Sequence, residues 1–385
     1  MKLHNSKCYK FVYVIYSSMI DVKEALQYAD LKAVDFFCGA GGVTCGFKQI
    51  GIKVLGGIDI DPQFKQTYET NNNVKFVNKD VSNLEPVKLK ELLPIERNED
   101  NLIFVGCSPC QYYSNLKSDK TKSKSSRLLL DDFKEFVLYY RPGFVFIENV
   151  PGLETKSGSP LHKFKTALIK EGYKFDQKVL NAKYFGVPQN RNRFILLASR
   201  ISNKKIQLPE ENTSEHNLET VFNAIGNYEK FYKISAGTKD ETNFQHTAAK
   251  LSELNLKRVQ RTPKNGGDRR AWEDDDELQL ECYKHHNGHY DVYGRLSWEK
   301  PSPTITTKFL HTSTGRYSHP EQDRALSIRE GATLQSFPLD YVFYSSNQGK
   351  IATMIGNAVP PKLSEAIGTS IKQHWKEWLE ISKET

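Results

Sequence analysis

Short apolar runs punctuate the first half of the chain. Ala33-Val34-Asp35-Phe36-Phe37, Val54 to Ile58, Leu102 to Val105 and Phe144 to Ile147 are too short for helices and almost continuously apolar. Between them lie stretches with helical spacing, such as Val43 to Ile50, which is closed by Gly51, and a helix start marked by Asp61-Pro62. Fully apolar short runs that alternate with helices predict strands of a parallel sheet covered on both faces. Residues 175–181 and 193–198 read as the last strands of that sheet. The alternation stops near Arg200, and from Ile201 to about Tyr290 the text is polar and without period. Helical spacing returns at Ser327–Gln335 and Pro361–Leu379, so a domain boundary is expected near residue 200.

Composition narrows the class. The chain has 385 residues with 38% hydrophobic and 26% charged positions, enough apolar material for a packed core and the length of two or three domains. Lys and Arg exceed Asp and Glu by 54 to 46, a net charge of +8 that suits a polyanionic partner without requiring one. The six cysteines are sparse and irregularly spaced, which argues against a disulfide framework and for a reducing compartment, the cytoplasm. The apolar run Phe11 to Tyr16 is far short of the ~20 residues needed to span a bilayer. It reads as an extra strand or an upstream extension, so no membrane partner is expected. Ser114 to Arg127 is rich in Ser and Lys and reads as a mobile loop.

The candidate chemistry sits at the ends of the predicted strands. The first strand runs into Gly39-Ala40-Gly41-Gly42 and then a helix, an arrangement that presents backbone N–H groups to an anion. The dinucleotide fingerprint G-x-G-x-x-G would need glycine at 44, where Thr44 stands. A ligand ending in a carboxylate suits the turn better than one with a pyrophosphate. Asp59 ends the second strand, where an acid can hold two ribose hydroxyls, and Asp80 follows the third, within reach of an adenine amino group. A nucleoside with a zwitterionic tail, S-adenosylmethionine, fits these positions. The competing reading is a glycine turn that serves packing alone.

Cys107-Ser108-Pro109-Cys110 follows the strand Leu102–Val105 and delivers a thiol to the sheet edge where α/β sites lie. A metal or redox role for the C-x-x-C pair lacks a second paired set of ligands. Glu148-Asn149-Val150 ends another strand, with Glu148 among aliphatics that would raise its pKa and make it a proton donor. It could equally cap the turn at Pro151-Gly152. Gln189-x-Arg191-x-Arg193 places two arginines on one strand face, suited to a phosphate or a carbonyl oxygen, or to a surface ion-pair ladder.

In order, Asp35-x-Phe37-x-Gly39-x-Gly41-Gly42, Pro109-Cys110-Gln111, Glu148-Asn149-Val150, Gln189-x-Arg191-x-Arg193, Arg329-Glu330-x-Ala332-x-Leu334-Gln335-x-Phe337-Pro338 and Gly356-Asn357-x-Val359-Pro360-Pro361 resemble the motifs of DNA (cytosine-5)-methyltransferases of the bacterial type II restriction–modification type. The resemblance implies an α/β, Rossmann-like S-adenosylmethionine-dependent methyltransferase sheet domain with a smaller, irregular target-recognition domain. It divides the chain into an N-terminal extension 1–30, a catalytic and cofactor domain 31–200, a target-recognition domain 201–340 and a segment 341–385 that returns to the catalytic domain. It assigns Cys110 as nucleophile, Glu148 to the cytosine N3 edge, Arg193 to the base carbonyl and Arg191 to support. Phe37, Gly39, Gly41, Gly42, Asp59, Ile60, Asp80, Val81, Asn357 and Val359 would line the cofactor pocket. S-adenosylhomocysteine would be the product, and no metal is implied.

The implied partner is double-stranded DNA carrying a short target from which one cytosine flips out. A cognate restriction endonuclease would act alongside a monomeric enzyme. The loop lysines Lys117, Lys120, Lys122 and Lys124 would close over the backbone. Arg261, Lys264, Arg269, Arg270, Lys284, His285, His286 and Tyr290 would face the target. Two rivals remain at this level: a tRNA cytosine-5 methyltransferase sharing these motifs, and a nucleic-acid-binding regulator without catalysis.

Overall fold

The computed structural model describes residues 31–109, 128–283 and 290–384. Seven strands form one sheet in the order β3-β2-β1-β4-β5-β7-β6. They are β1 (Lys32–Phe36), β2 (Lys53–Asp59), β3 (Phe76–Asn78), β4 (Leu102–Gly106), β5 (Phe144–Asn149), β6 (Lys174–Asn181) and β7 (Asn192–Ser199). The first five pair in parallel, as the alternation of strands and helices predicts. The last two do not: β7 runs antiparallel between β5 and β6. The physical reason lies in the connection. A parallel neighbour needs a long crossover, usually helical, whereas β6 and β7 are joined only by a turn at Ala182–Phe185 and a short extended stretch.

Helices cover both faces, and the side chains of each strand alternate between them. Val34, Phe36, Phe104, Ile147 and Leu196 meet α3 (Leu129–Tyr140) and α4 (Leu161–Lys170) through Phe133, Phe136 and Phe164. Ala33, Ile103, Val105, Phe146 and Ile195 meet α1 (Gly42–Gln49) and the long final helix α8 (Pro361–Glu384) through Phe47, Leu363 and Ile367. Helix α2 (Lys65–Asn72) links β2 to β3. The helix signalled by the spacing from Pro361 thus packs directly on the sheet.

From Ile201 to Asn347 no described residue belongs to the sheet, and the chain there folds mostly as loops with short helices. These include α5 (Glu253–Arg261) and α6 (Ile328–Leu334). One core here gathers Val221, Trp298, Phe309, Leu326, Ile328, Tyr341, Phe343 and, from helix α7 (Gln348–Asn357), Ile355, and it extends to Ala40 and Cys45 of the glycine turn and α1. A smaller one holds Val259, Trp272, Leu278 and Tyr293. Ser327 and Glu330 form a reciprocal capping box at the start of α6. The buried Glu330 carboxylate also takes two bonds from Arg324, at 2.7 and 2.8 Å. The Arg324 charge and hydrogen bond hold it far below the usual carboxylate range despite burial.

Gly42 shows how tightly the returning segment is fitted. A Cβ there would lie 2.3 Å from the carbonyl oxygen of Val359. Gly42→Ala should therefore cost about 1–3 kcal/mol of stability and lower the urea midpoint at constant m. An unchanged midpoint would show that Val359 moves aside freely.

Candidate active site

The carboxyl ends of β1, β2, β4 and β5 and the amino end of β7 meet along one edge of the sheet, where open α/β sheets bind ligands. Two clusters of side chains lie there.

The first surrounds the glycine turn. The backbone leaves β1 through positive φ at Phe37, Gly39 and Gly41, of 59°, 51° and 89°. At Gly41 a side chain is excluded twice, by this conformation and by Asn72, whose Nδ2 would lie 2.6 Å from a Cβ. In front of Gly39 the space is open, with nothing within 4 Å of a Cβ position. The turn is held by Asp59, whose carboxylate accepts from Gly39 N–H at 2.9 Å and from Asp61 N–H at 3.0 Å. Burial pushes the pKa of Asp59 up, and these two N–H donors restrain it. Next to it Ile60 is 63% exposed, an apolar surface at the rim. An open cradle of backbone, a fixed carboxylate and an apolar shelf fit an adenosine carrying a short charged tail.

Other residues expected in this pocket have structural partners of their own. Asp80 caps the turn Val81–Asn83, accepting from Ser82 N–H and Oγ–H and from Asn83 Nδ2–H. Val81 is buried in the core beneath the sheet edge. Asn357 is exposed at the end of α7, and Val359 packs under α1.

Thr44, the residue that breaks the dinucleotide fingerprint, is buried and donates to the Asp35 carboxyl at 2.8 Å while sharing a hydrogen bond with Tyr68 Oη. Tyr341 donates to Ala40 C=O and accepts from Asn72 Nδ2. Sequence reading misses Tyr68, Asn72 and Tyr341, because Tyr341 reaches the turn from 301 residues away and no local pattern announces it.

The second cluster lies across the ends of β4, β5 and β7. Glu148 is 8% exposed. Its Oε1 is 2.7 Å from Arg193 Nε, a pairing produced by the antiparallel register of β5 with β7. The expected solitary carboxyl among aliphatics is thus an ion-paired one. Burial lowers the pKa of the Arg193 guanidinium, and the Glu148 charge opposes that shift. Arg193 also donates through Nη1 to Asn192 C=O. Arg191 does not join this pair as a hydrogen-bond partner. It turns into the interior and donates to the carbonyls of Ile305, Gly356 and Ala358 at 3.0–3.1 Å. Asn149 Nδ2 donates to Ser108 C=O at 3.1 Å, tying the end of β5 to the segment after β4. Burial and the nearby Glu148 charge raise the Cys107 thiol well above its usual pKa.

Cys110, Gln111 and the loop lysines lie outside the described residues, as do Lys284, His285 and His286. Among the described residues no three His, Cys, Asp or Glu side chains cluster as metal ligands, and no helix is long and apolar enough to cross a membrane.

The basic stretch before residue 271 is tied into the fold by ring and ion-pair contacts. Arg269 is buried and stacks with Arg270 on the Tyr290 ring, Arg270 pairs with Asp268, and Lys264 pairs with Asp323. Asp268 and Asp323 are each shared with a further arginine, Arg316 and Arg295 respectively.

Comparison with known proteins adds the family. The model of the C-5 cytosine-specific DNA methylases matches residues 31–373. The chain is 38% identical to the Type II methylase M.HgiDII of Herpetosiphon aurantiacus, over 88% of this chain and 94% of that one. It is 33% identical to the Type II methyltransferase M1.HphI of Haemophilus parahaemolyticus, over 95% and 93%. Among solved structures, one assigned as a DNA modification methyltransferase encoded within an Escherichia coli prophage superposes with a TM-score of 0.66 at 20% identity, covering 89% of this chain and 99% of that one. That likeness concerns the fold.

Asp35 gives a pH test of the buried polar chain beneath the turn. Burial raises its pKa to about 7, with the Thr44 hydrogen bond opposing and Asp59 adding to the shift. The folded state then holds the Asp35 proton more tightly than the unfolded state. The associated stability is complete below the unfolded value near 3.8 and is lost as pH rises through about 7. Asp35→Asn removes this dependence. Between pH 5 and pH 8 the variant should gain on the order of 3 kcal/mol relative to the parent in urea unfolding. A difference that does not change with pH would contradict the assignment.

Proposed function

The chain belongs to the C-5 cytosine-specific DNA methylases, as a DNA (cytosine-5)-methyltransferase of the bacterial type II restriction–modification type, and from that premise we propose how its residues carry the reaction. The substrate is a cytosine flipped out of a specific short duplex sequence, since a stacked base offers neither its C6 nor its C5 to a side chain. Residues 201–340 read the target, and 341–385 return to complete the catalytic domain.

Cytosine C5 is too weak a nucleophile to take a methyl group directly. The Cys110 thiolate adds to C6, breaking the C5–C6 double bond and pushing electrons toward N3 and O2, which makes C5 enamine-like. Glu148 hydrogen-bonds or protonates N3 as that charge grows. Arg193 orients the Glu148 carboxyl through Nε and directs Nη2, which neither of its two observed bonds uses, toward the base carbonyl. Arg191 keeps the strand lead-in fixed from behind. Phe37, Gly39, Asp59 and Ile60 hold the cofactor, with Asp59 accepting from the ribose hydroxyls and Ile60 covering one face of the adenine. Gly41, Gly42 and Val359 shape the turn that admits it, and Asp80 and Asn357 border it. S-adenosylmethionine, when bound, supplies an electrophilic methyl group on sulfur and leaves as S-adenosylhomocysteine. Loss of the C5 proton to a base or water then releases Cys110 and restores the aromatic ring.

The observation that carries this reading is the buried Glu148–Arg193 pair at the sheet edge, beside the strand whose sequence continues into Pro109-Cys110. Its test is covalent capture, with S-adenosylmethionine present, on target duplexes containing 5-fluorocytosine, where fluorine replaces the C5 proton that must leave after methyl transfer. The parent protein should form a complex with such DNA that is stable to denaturants, and Cys110→Ser should form none. Glu148→Gln should slow capture by about 10²–10⁴-fold. Capture by Cys110→Ser, or capture of tRNA in place of DNA by the parent, would overturn the assignment.

A further inference from the structure

The glycine turn and the Asp59 rim belong to the first domain, yet their outer supports come from residues 341–350. Tyr341 Oη donates to Ala40 C=O in the middle of the turn and accepts from Asn72 Nδ2 at 2.9 Å. Asn71 exchanges two hydrogen bonds with the Val342 backbone, at 2.7 and 2.8 Å, and Tyr344 N–H donates to Thr67 Oγ1 at 2.8 Å. The segment thus runs across α2 like a strap. It ends at Lys350, whose ammonium pairs with Asp61 and lies 4.9 Å from the centre of the Phe64 ring. Asp61 is the residue whose N–H is held by Asp59. The strap therefore grips the cradle at two points, one behind the Gly39–Gly41 backbone and one beside Asp59 and Ile60.

We propose that Tyr341 and Lys350 are positioning residues for the cofactor, fixing the glycine turn and the Asp59 rim from the second half of the chain. The proposal rests on the reading above that Gly39, Asp59 and Ile60 hold S-adenosylmethionine. These strap contacts go to the glycine turn, α2 and Asp61 and not to Glu148 or Arg193, so the strap's contribution falls on cofactor affinity. Removing the Tyr341 hydroxyl takes away the side-chain bond that ties the Ala40 carbonyl to the strap. Loss of a buried hydrogen bond of this kind changes an equilibrium about five- to tenfold.

The test is calorimetric titration of the full-length protein with S-adenosylhomocysteine, alongside steady-state kinetics. Tyr341→Phe should weaken binding about tenfold, and Lys350→Met about threefold, with Lys350→Arg restoring it. KM for the cofactor should rise while kcat at saturating cofactor is unchanged.

Tyr140→Phe is the control for a merely structural loss. Its hydroxyl is buried among the same kinds of partner, accepting from Lys90 N–H at 3.0 Å and donating to Pro86 C=O at 2.9 Å, at the end of α3 remote from the turn. It should lose similar stability and keep full cofactor affinity. Weakening by Tyr140→Phe equal to that by Tyr341→Phe would overturn the proposal. Asp59→Ala and, on the exposed rim where folding is not at stake, Ile60→Asp test the underlying site. If these two abolish binding while Tyr341→Phe and Lys350→Met bind like the parent, the strap proposal fails and the cofactor site stands. If Asp59→Ala and Ile60→Asp bind like the parent, the site reading fails, and the strap proposal with it.

Discussion

A buried arginine joins the two halves of this protein. Arg191 sits at the entry to β7 with its guanidinium wholly inside, and its charge is met by the main-chain carbonyls of Ile305, Gly356 and Ala358. Burial pushes its pKa well down, the neighbouring Arg193 adds to the push, and Glu148 opposes it. Gln189 and Gln335 extend the junction: Gln189 accepts from Ile305 N–H and donates to Leu334 C=O, and Gln335 donates to the carbonyls of Ile355 and Ala358. Removing one member would strand several buried polar groups together, which makes such a network an all-or-none element. Its position fixes where β7 begins, and therefore where Arg193 meets Glu148.

The same junction explains how the edge of a sheet made in the first half is finished by the second. The strand ends supply acids, glycines and the lead into Cys110. The second half supplies the hydrophobic backing of the glycine turn, through a core shared with Ala40 and Cys45, and the polar strap over α2. Antiparallel insertion of β7 brings a basic residue to an edge otherwise formed by the carboxyl ends of parallel strands.

Much of this was legible in the chain. The apolar runs at Ala33, Val54, Leu102 and Phe144 give strands because each is buried on both faces, and the pattern says so directly. The direction of β7 was not legible, since apolar periodicity is the same for parallel and antiparallel neighbours, and only the short link after Asn181 distinguishes them. At the site, Glu148 and Arg193 stand out by their place at strand ends, but their pairing depends on register between strands that are neighbours in the sheet and not in the sequence. Thr44 marked a failed fingerprint without revealing its hydrogen bond to Asp35. Tyr341 and Lys350 gave no signal, because each acts on a partner hundreds of residues earlier. Around Arg270, composition counts charges and cannot see that Arg270 pairs with Asp268 and Lys264 with Asp323.

The account stands or falls on cytosine C5 methylation of DNA. The most direct measurement is bisulfite sequencing of random-sequence duplex DNA after incubation with the full-length protein and S-adenosylmethionine. The account predicts cytosines protected from conversion at one fixed position within one short sequence. Complete conversion of every cytosine in the DNA, with protected cytosines in a parallel tRNA sample, would contradict it.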